Sequence, residues 1–190
     1  IFVAVPSGET ERVLSGFEKM ANLIYEDTGL VIEPFVATSY VSAIEAFCQT
    51  PPKAHMGALA TFAYILASSK GCAETALVSV RNCTAYYNGQ FVVRADSGLE
   101  KLEDLKGKTW CAPSLTSTSG YVVPSIMFKA VGIDAATDFA GVLDGGGKHE
   151  VALTGLYNGD CDFATSYIDA RSRIEEQFPD IMEKTVVIDV

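Results

Sequence analysis

The sequence predicts an α/β fold of mainly parallel sheets joined by crossover helices, and three observations carry that prediction. Short apolar runs alternate with longer segments whose apolar residues recur at helical spacing, the rhythm of strand, helix, strand. Glycine and proline punctuate the junctions, as at Pro6-Ser7-Gly8 and Pro51-Pro52. One of those junctions, Leu115-Thr116-Ser117-Thr118-Ser119-Gly120, places four consecutive hydroxyls between an apolar strand and a helix.

Taken in order, Phe2 to Val5 reads as a buried strand, and Val13, Phe17, Met20 and Ile24 mark a helix that stops at Gly29. Val31 to Ala37 reads as a second strand, Tyr40 to Cys48 as a helix, His55 to Leu59 as a strand and Phe62 to Ser68 as an apolar helix. Ala76 to Val80 is expected to be another strand. Phe91 to Arg94 opens a second series, followed by a Leu99 to Leu105 helix and the Thr109 to Ala112 strand. A helix starting near Tyr121 and carrying Ile126 and Phe128, the His149 to Tyr157 helix and the Asp162 to Thr165 strand complete it.

With 190 residues, 48% of them hydrophobic and 20% charged, the chain can bury a core in one domain or two small lobes. No apolar run reaches the roughly 18 residues of a membrane span. A net charge of −10 disfavours nucleic acid, whose phosphates call for clustered Lys and Arg. A small anion remains compatible with that charge, because exposed carboxylates are screened over roughly 8 Å while a buried socket acts at contact distance. Cys48, Cys72, Cys83, Cys111 and Cys161 show no zinc spacing. Cys72 and Cys83 are expected to pair in an oxidising compartment, while Cys111 and Cys161 sit in strand patterns as small buried residues. The Asp144-Gly145-Gly146-Gly147-Lys148 run lacks the Gly-Lys-Ser/Thr ending of a nucleotide loop and is expected to be a flexible approach to the His149 helix. No nucleophile elbow, metal set or cofactor motif is present, so no catalytic residue, metal or cofactor is expected.

The hydroxyl loop has two readings. Ser and Thr are preferred helix N-caps and often do nothing else. A helix start also offers unpaired backbone N–H groups and the positive end of a dipole, so a ring of hydroxyls around it makes an oxyanion socket that needs no lysine. His149 ahead of an apolar helix is by itself most simply a cap, and Asp169 in Tyr167-Ile168-Asp169-Ala170-Arg171 a first-turn acid.

The flanks of the loop, Leu102-Glu103-Asp104-Leu105-Lys106-Gly107-Lys108, Ser117-Thr118-Ser119-Gly120-Tyr121 and Pro124, resemble the core signature of the phosphonate-binding proteins of ABC importers. Thr38-Ser39-Tyr40 to Ala46 is similar to that family's tyrosine-led helix, and Tyr86-Tyr87 with Phe91 to Ser97 to its first crossover between lobes. Gly146-Gly147-Lys148-His149-Glu150 and Asn158 to Ala164 resemble its His-Glu helix start and the strand after it. The resemblance implies a two-lobe type II periplasmic-binding fold with the ligand cleft between the lobes. Residues 1–85 are expected to form the first lobe, 86–186 the second, and 187–190 the start of a second hinge crossing; the family's return segment has no counterpart in these residues, so the protein is expected to be naturally short, a fragment, or completed in its first lobe by another chain.

The resemblance further implies the capture of a small phosphorus oxyanion, whether phosphonate, phosphite or phosphate, by lobe closure outside the cytoplasm and its delivery to an ABC permease in the membrane. Ser117, Thr118 and Ser119 are expected to grip the oxygens with help from the backbone at Gly120, and His149 to donate directly. Tyr40 and Tyr87 are expected to touch the oxygens or the third substituent on phosphorus, and Asp169 to accept a proton or an amine. An enzyme acting on a phosphorylated small molecule and the effector domain of a transcription regulator are the alternatives. With an incomplete first lobe, the chain is expected either to self-associate through that lobe or to bind its anion more weakly than a longer one.

Overall fold

The computed structural model describes residues 1–80 and 83–188, which divide into two compact units, Ile1–Leu77 and Val78–Val190. In the first, strand β1 (Phe2–Ala4), helix α1 (Thr10–Thr28), β2 (Pro34–Val36), α2 (Tyr40–Cys48), β3 (Met56–Ala58) and α3 (Thr61–Ser69) follow one another. The three strands form a parallel sheet in the order β2-β1-β3, with Ala4 opposite both Val36 and Ala58. The central strand is buried at every residue, which is why it reads as an unbroken apolar run. Gly57 is dictated by closeness: a Cβ there would stand 2.8 Å from both the Phe47 ring and Val3 Cγ1.

Helix α2 begins on a reciprocal cap, the Ser39 hydroxyl accepting from Ser42 N–H at 3.0 Å and Ser42 Oγ accepting from Ser39 N–H at 2.9 Å. Its buried face, Tyr40, Ala43, Ile44 and Ala46, meets Ala63 and Ala67 of α3, and the small residues let the two helices approach closely. Helix α1 ends where Gly29 turns left-handed at φ 72° and its N–H caps the Tyr25 carbonyl.

The second unit runs β4 (Gly89–Arg94), β5 (Thr109–Ala112), α4 (Val123–Ala130), β6 (Gly141–Asp144), α5 (His149–Asn158), β7 (Phe163–Tyr167), α6 (Ile181–Lys184) and β8 (Thr185–Ile188). Its sheet has the order β6-β5-β7-β4-β8, with β6, β5 and β7 parallel and β4 antiparallel to β7 and β8. Alternate residues feed opposite faces. Phe91, Val93, Trp110, Ala112 and Phe163 join Phe128 in one core, whereas Val92, Cys111 and Ala164 join Leu153, Leu156 and Ile181 in the other. Trp110 anchors the first core, stacked on Tyr121 at 4.8 Å and edge-on to Phe128 at 5.4 Å.

Several expectations need correction. Ala76 to Val80 is not a strand; Leu77 is 91% exposed, and neither sheet pairs with the segment, without which an apolar run cannot become one. The Leu99 to Leu105 helix shrinks to a 3₁₀ turn at Leu102–Leu105. The helix expected near Tyr121 starts earlier, through a π-helical turn over Thr118–Val122. Cys72 bonds to Cys48, not to Cys83, because the end of α3 returns to the end of α2 and brings the two Cα atoms to 5.0 Å. Cys111 and Cys161 also bond, at a Cα separation of 5.8 Å, and Cys83 is an exposed free thiol. The glycine run is not a loose tether: Gly145 N–H donates to the Ala112 carbonyl at 2.8 Å and Gly147 N–H to the Pro113 carbonyl at 2.6 Å.

This pairing is directly testable. Under native, non-reducing conditions a thiol reagent should modify Cys83 alone, and peptide mapping should recover Cys48 with Cys72 and Cys111 with Cys161. With sequence separations of 24 and 50, each bridge is expected to contribute about 3 to 4 kcal/mol in the chain-entropy account, read as the loss of denaturant midpoint on reduction.

Candidate functional site

Because β6, β5 and β7 are parallel, their carboxyl ends lie along one edge of the second sheet, where helix starts and turns collect. β5 leads into Pro113 to Ser117, β6 into the glycine turn ahead of His149, and β7 into Ile168 and Asp169. β4 runs the other way, so its first residues share that edge: Gly89 lies opposite Tyr167 and Gln90 opposite Ser166.

Ser117 caps the π-helical turn: its Oγ accepts from Gly120 N–H at 3.2 Å, and its carbonyl accepts from the N–H groups of Tyr121 and Val122 at 3.0 Å each. The capping reading is therefore realised, and it leaves the hydroxyl buried at the centre of the edge, 3.5 Å from His149 Nε2. Ser119 and Gly120 are buried beside it and Thr118 is half-buried. Only glycine fits at 120, since a Cβ would run into the Pro113 ring and come within 2.9 Å of Ser117 Oγ. The turn is fastened to the sheet by a relay in which the Trp110 indole N–H donates to Thr165 Oγ1 at 2.8 Å and that hydroxyl donates to the Gly120 carbonyl.

His149, the first residue of α5, is 2% exposed, and its Nδ1 has no hydrogen-bond partner among the described residues. Its ring lies 4.7 Å from that of Tyr167. Burial pushes its pKa down to about 4, so at neutral pH it is an uncharged imidazole with one donor and one acceptor nitrogen.

Asp169 accepts from the Arg171 side chain at 2.8 and 3.1 Å and from Gln90 Nε2 at 3.3 Å. Burial pulls its pKa up, but the hydrogen bonds and charge of Arg171 outweigh that and hold the carboxyl below its ordinary value. Tyr87, two residues before β4, is 51% exposed. Tyr40 belongs to the other unit, buried at the start of α2. The structure thus gathers Ser117, Ser119, Gly120 and His149 into one cluster, with Asp169 on the same edge. Sequence reading missed Gln90, Thr165, Ser166 and Arg171; a glutamine opening an otherwise apolar strand was the available signal for the first. Among the described residues no group of His, Cys, Asp and Glu could hold a metal ion, and no helix is long and apolar enough to cross a membrane.

A sheet edge furnished with a capped helix start, buried hydroxyls and a neutral imidazole has the chemistry of a small-anion receptor. The family described as "ABC transporter, phosphonate, periplasmic substrate-binding protein" matches residues 2–190, and the chain belongs to it. That is a family of substrate-binding proteins, not of enzymes. The phosphate-import protein PhnD of Mycolicibacterium smegmatis is 24% identical over 170 residues, covering 84% of this chain and 52% of that protein. The chain therefore spans about half the length of this relative. A binding protein of an ABC phosphonate transporter from Pseudomonas aeruginosa superposes at TM-score 0.84 with 22% identity, over all of this chain and 64% of its own. PhnD1 from Prochlorococcus marinus in complex with methylphosphonate gives 0.77 and 15%, over all of this chain and 71% of its own. The shared fold is that of the type II periplasmic-binding proteins, with mixed α/β units rich in parallel strands.

Gly120→Ala is expected to destabilise the protein by about 1 to 3 kcal/mol through overpacking against Pro113, measured by chemical denaturation. His149 is neutral in the fold but takes a proton near pH 6.5 when unfolded, so the unfolded state binds more protons between about pH 6.5 and 4. Stability is therefore full above pH 6.5 and falls by up to about 3 kcal/mol as pH drops to about 4, a component that His149→Gln should remove from the pH profile of the denaturation midpoint.

Proposed function

We propose that this chain carries the ligand-gripping part of a substrate-binding protein that captures a small phosphorus oxyanion, whether phosphonate, phosphite or phosphate, for an ABC importer. The observation that carries the reading is the buried cluster of Ser117, Ser119, Gly120 and neutral His149 at the carboxyl edge of the parallel strands, in a chain of the phosphonate-binding family. Residues 1–85 and 86–186 act as two lobes; of the crossing expected at 187–190, Val187 and Ile188 belong to β8 and the last two residues lie outside the described ones. Closure of the lobes is the binding step. Open lobes admit the anion, hydroxyl and imidazole donors replace its water, and the membrane permease reads the closed state.

In this reading Ser117, Thr118, Ser119 and the amide at Gly120 hold the phosphorus oxygens and His149 donates one further hydrogen bond. Tyr40 and Tyr87 flank the third substituent on phosphorus. Location outside the cytoplasm is supported by the two disulfides, which persist in oxidising compartments. The names of the relatives, a phosphate importer and a methylphosphonate complex, support a ligand of this size and charge.

A thermal-shift and calorimetry panel of phosphate, phosphite and methylphosphonate tests this. Saturation at 100 times the dissociation constant should add about 2.7 kcal/mol to stability. Ser119→Ala should weaken binding by about tenfold to a hundredfold with the fold intact, as expected for losing a hydrogen bond to a charged ligand. Ser117→Ala should do the same and also lose about 1 kcal/mol of cap energy. Undiminished affinity in both variants would reduce the loop to a cap, and no response to any of the three anions would refute the reading.

A further inference from the structure

The edge that carries the hydroxyl loop also carries a carboxylate whose charge is already matched. Arg171 grips Asp169 with two prongs, Nε–H to Oδ1 at 3.1 Å and Nη2–H to Oδ2 at 2.8 Å, and its backbone N–H adds a third donor to Oδ1 at 3.1 Å. The guanidinium is held from another side by the Thr185 carbonyl, to which Nη1 donates at 3.0 Å, and the side chain is 13% exposed. A planar fork fixed on both sides keeps its orientation in a way that a mobile surface lysine would not.

This pair is a neighbour of the socket. A Cβ on Gly89 would stand 3.6 Å from Ser119 Cβ and 3.7 Å from the Ser166 carbonyl, so the start of β4 lies against the hydroxyl loop. Gln90, the next residue, is 3% exposed and donates from Nε2 to Ser166 Oγ at 2.9 Å and to Asp169 Oδ1 at 3.3 Å. Since a carboxylate only accepts, the amide nitrogen must face Asp169, which leaves Gln90 Oε1 buried without a partner among the described residues. The acceptor this corner keeps in reserve is thus a neutral amide oxygen. Asp169 has little attraction left for a cation, because a positive group brought to it meets the guanidinium at the same range.

We propose that Arg171 is a specificity-determining residue of the anion site: by neutralising Asp169 it sets the site for phosphorus oxyanions whose remaining substituent is uncharged, and against those that carry an ammonium group. The inference rests on the phosphorus-oxyanion reading above. In a chain of net charge −10, an unmatched carboxylate at this place would repel the anionic head and attract an amine; paired, it does neither.

The test is calorimetry on the full-length protein with aminomethylphosphonate and its uncharged isostere ethylphosphonate, beside phosphate, phosphite and methylphosphonate. The wild type should bind ethylphosphonate at least about tenfold more tightly than the amine. Arg171→Met should move that ratio about tenfold or more toward the amine by freeing Asp169. The double variant Asp169→Asn with Arg171→Met, which removes both charges, should return the ratio to within about threefold of the wild type, and it decides the matter if the single variant does not fold. A wild type that prefers the amine, an Arg171→Met ratio that does not move, or a double variant far from the wild-type ratio would overturn the proposal. So would rejection of both two-atom substituents by a protein that binds methylphosphonate or phosphate, since size and not charge would then select. Failure of every anion to bind would instead refute the functional reading, and this inference with it.

Discussion

The Trp110 indole, the Thr165 hydroxyl and the Gly120 carbonyl form a buried relay on which the geometry of the second unit turns. Trp110 brings the largest apolar surface into its core, and its one polar atom would be costly to bury without an acceptor. Thr165 on the neighbouring strand supplies it and donates its own hydrogen bond to the Gly120 carbonyl of the turn that carries the hydroxyls. Packing of the core and placement of Ser117 and Ser119 are therefore one problem. A shift of the indole would be felt at the turn, which the Pro113 ring already confines from its other side.

The same arrangement is compatible with the proposed anion ligand despite the acidity of the chain. The donors at this edge are hydroxyls, amides and an uncharged imidazole, whose strength depends on orientation and on exclusion of water more than on net charge. Arg171, the guanidinium at this edge, is committed to Asp169. Neutral donors discriminate by geometry, and that suits the proposed role of telling apart anions that differ by one group.

Most of this architecture is legible in the sequence because periodicity is a local property. The alternation Phe91-Val92-Val93 and the spacing of Val13, Phe17 and Met20 report which side of each element is buried wherever its partners lie. Ala76 to Val80 misleads for the same reason: its composition fits a strand, but strands are made by neighbours. Ser117, Ser119, Gly120 and His149 stand in recognisable motifs, so their proximity could be anticipated. Arg171 carries no local mark and Gln90 only its place at the head of an apolar strand, and their role depends on register between β4 and β7 and on a turn that returns to Thr185. The cysteine pairing is hidden likewise, being settled by where α3 ends relative to α2 and by which strands are adjacent.

The order of the thiols along the chain sets a problem for biosynthesis. Each bridge joins cysteines within one unit, but Cys83 stands between the two pairs. A chain oxidised in the order its thiols emerge would join Cys48 to Cys72 correctly and then join Cys83 to Cys111, stranding Cys161. The native pattern requires either that β5 and β7 come together before Cys111 is oxidised, or that a wrong bond be exchanged afterwards by thiolate attack. Maturation of the second unit is thereby tied to assembly of the sheet that carries the anion edge, whereas the first unit can be sealed as soon as Cys72 appears.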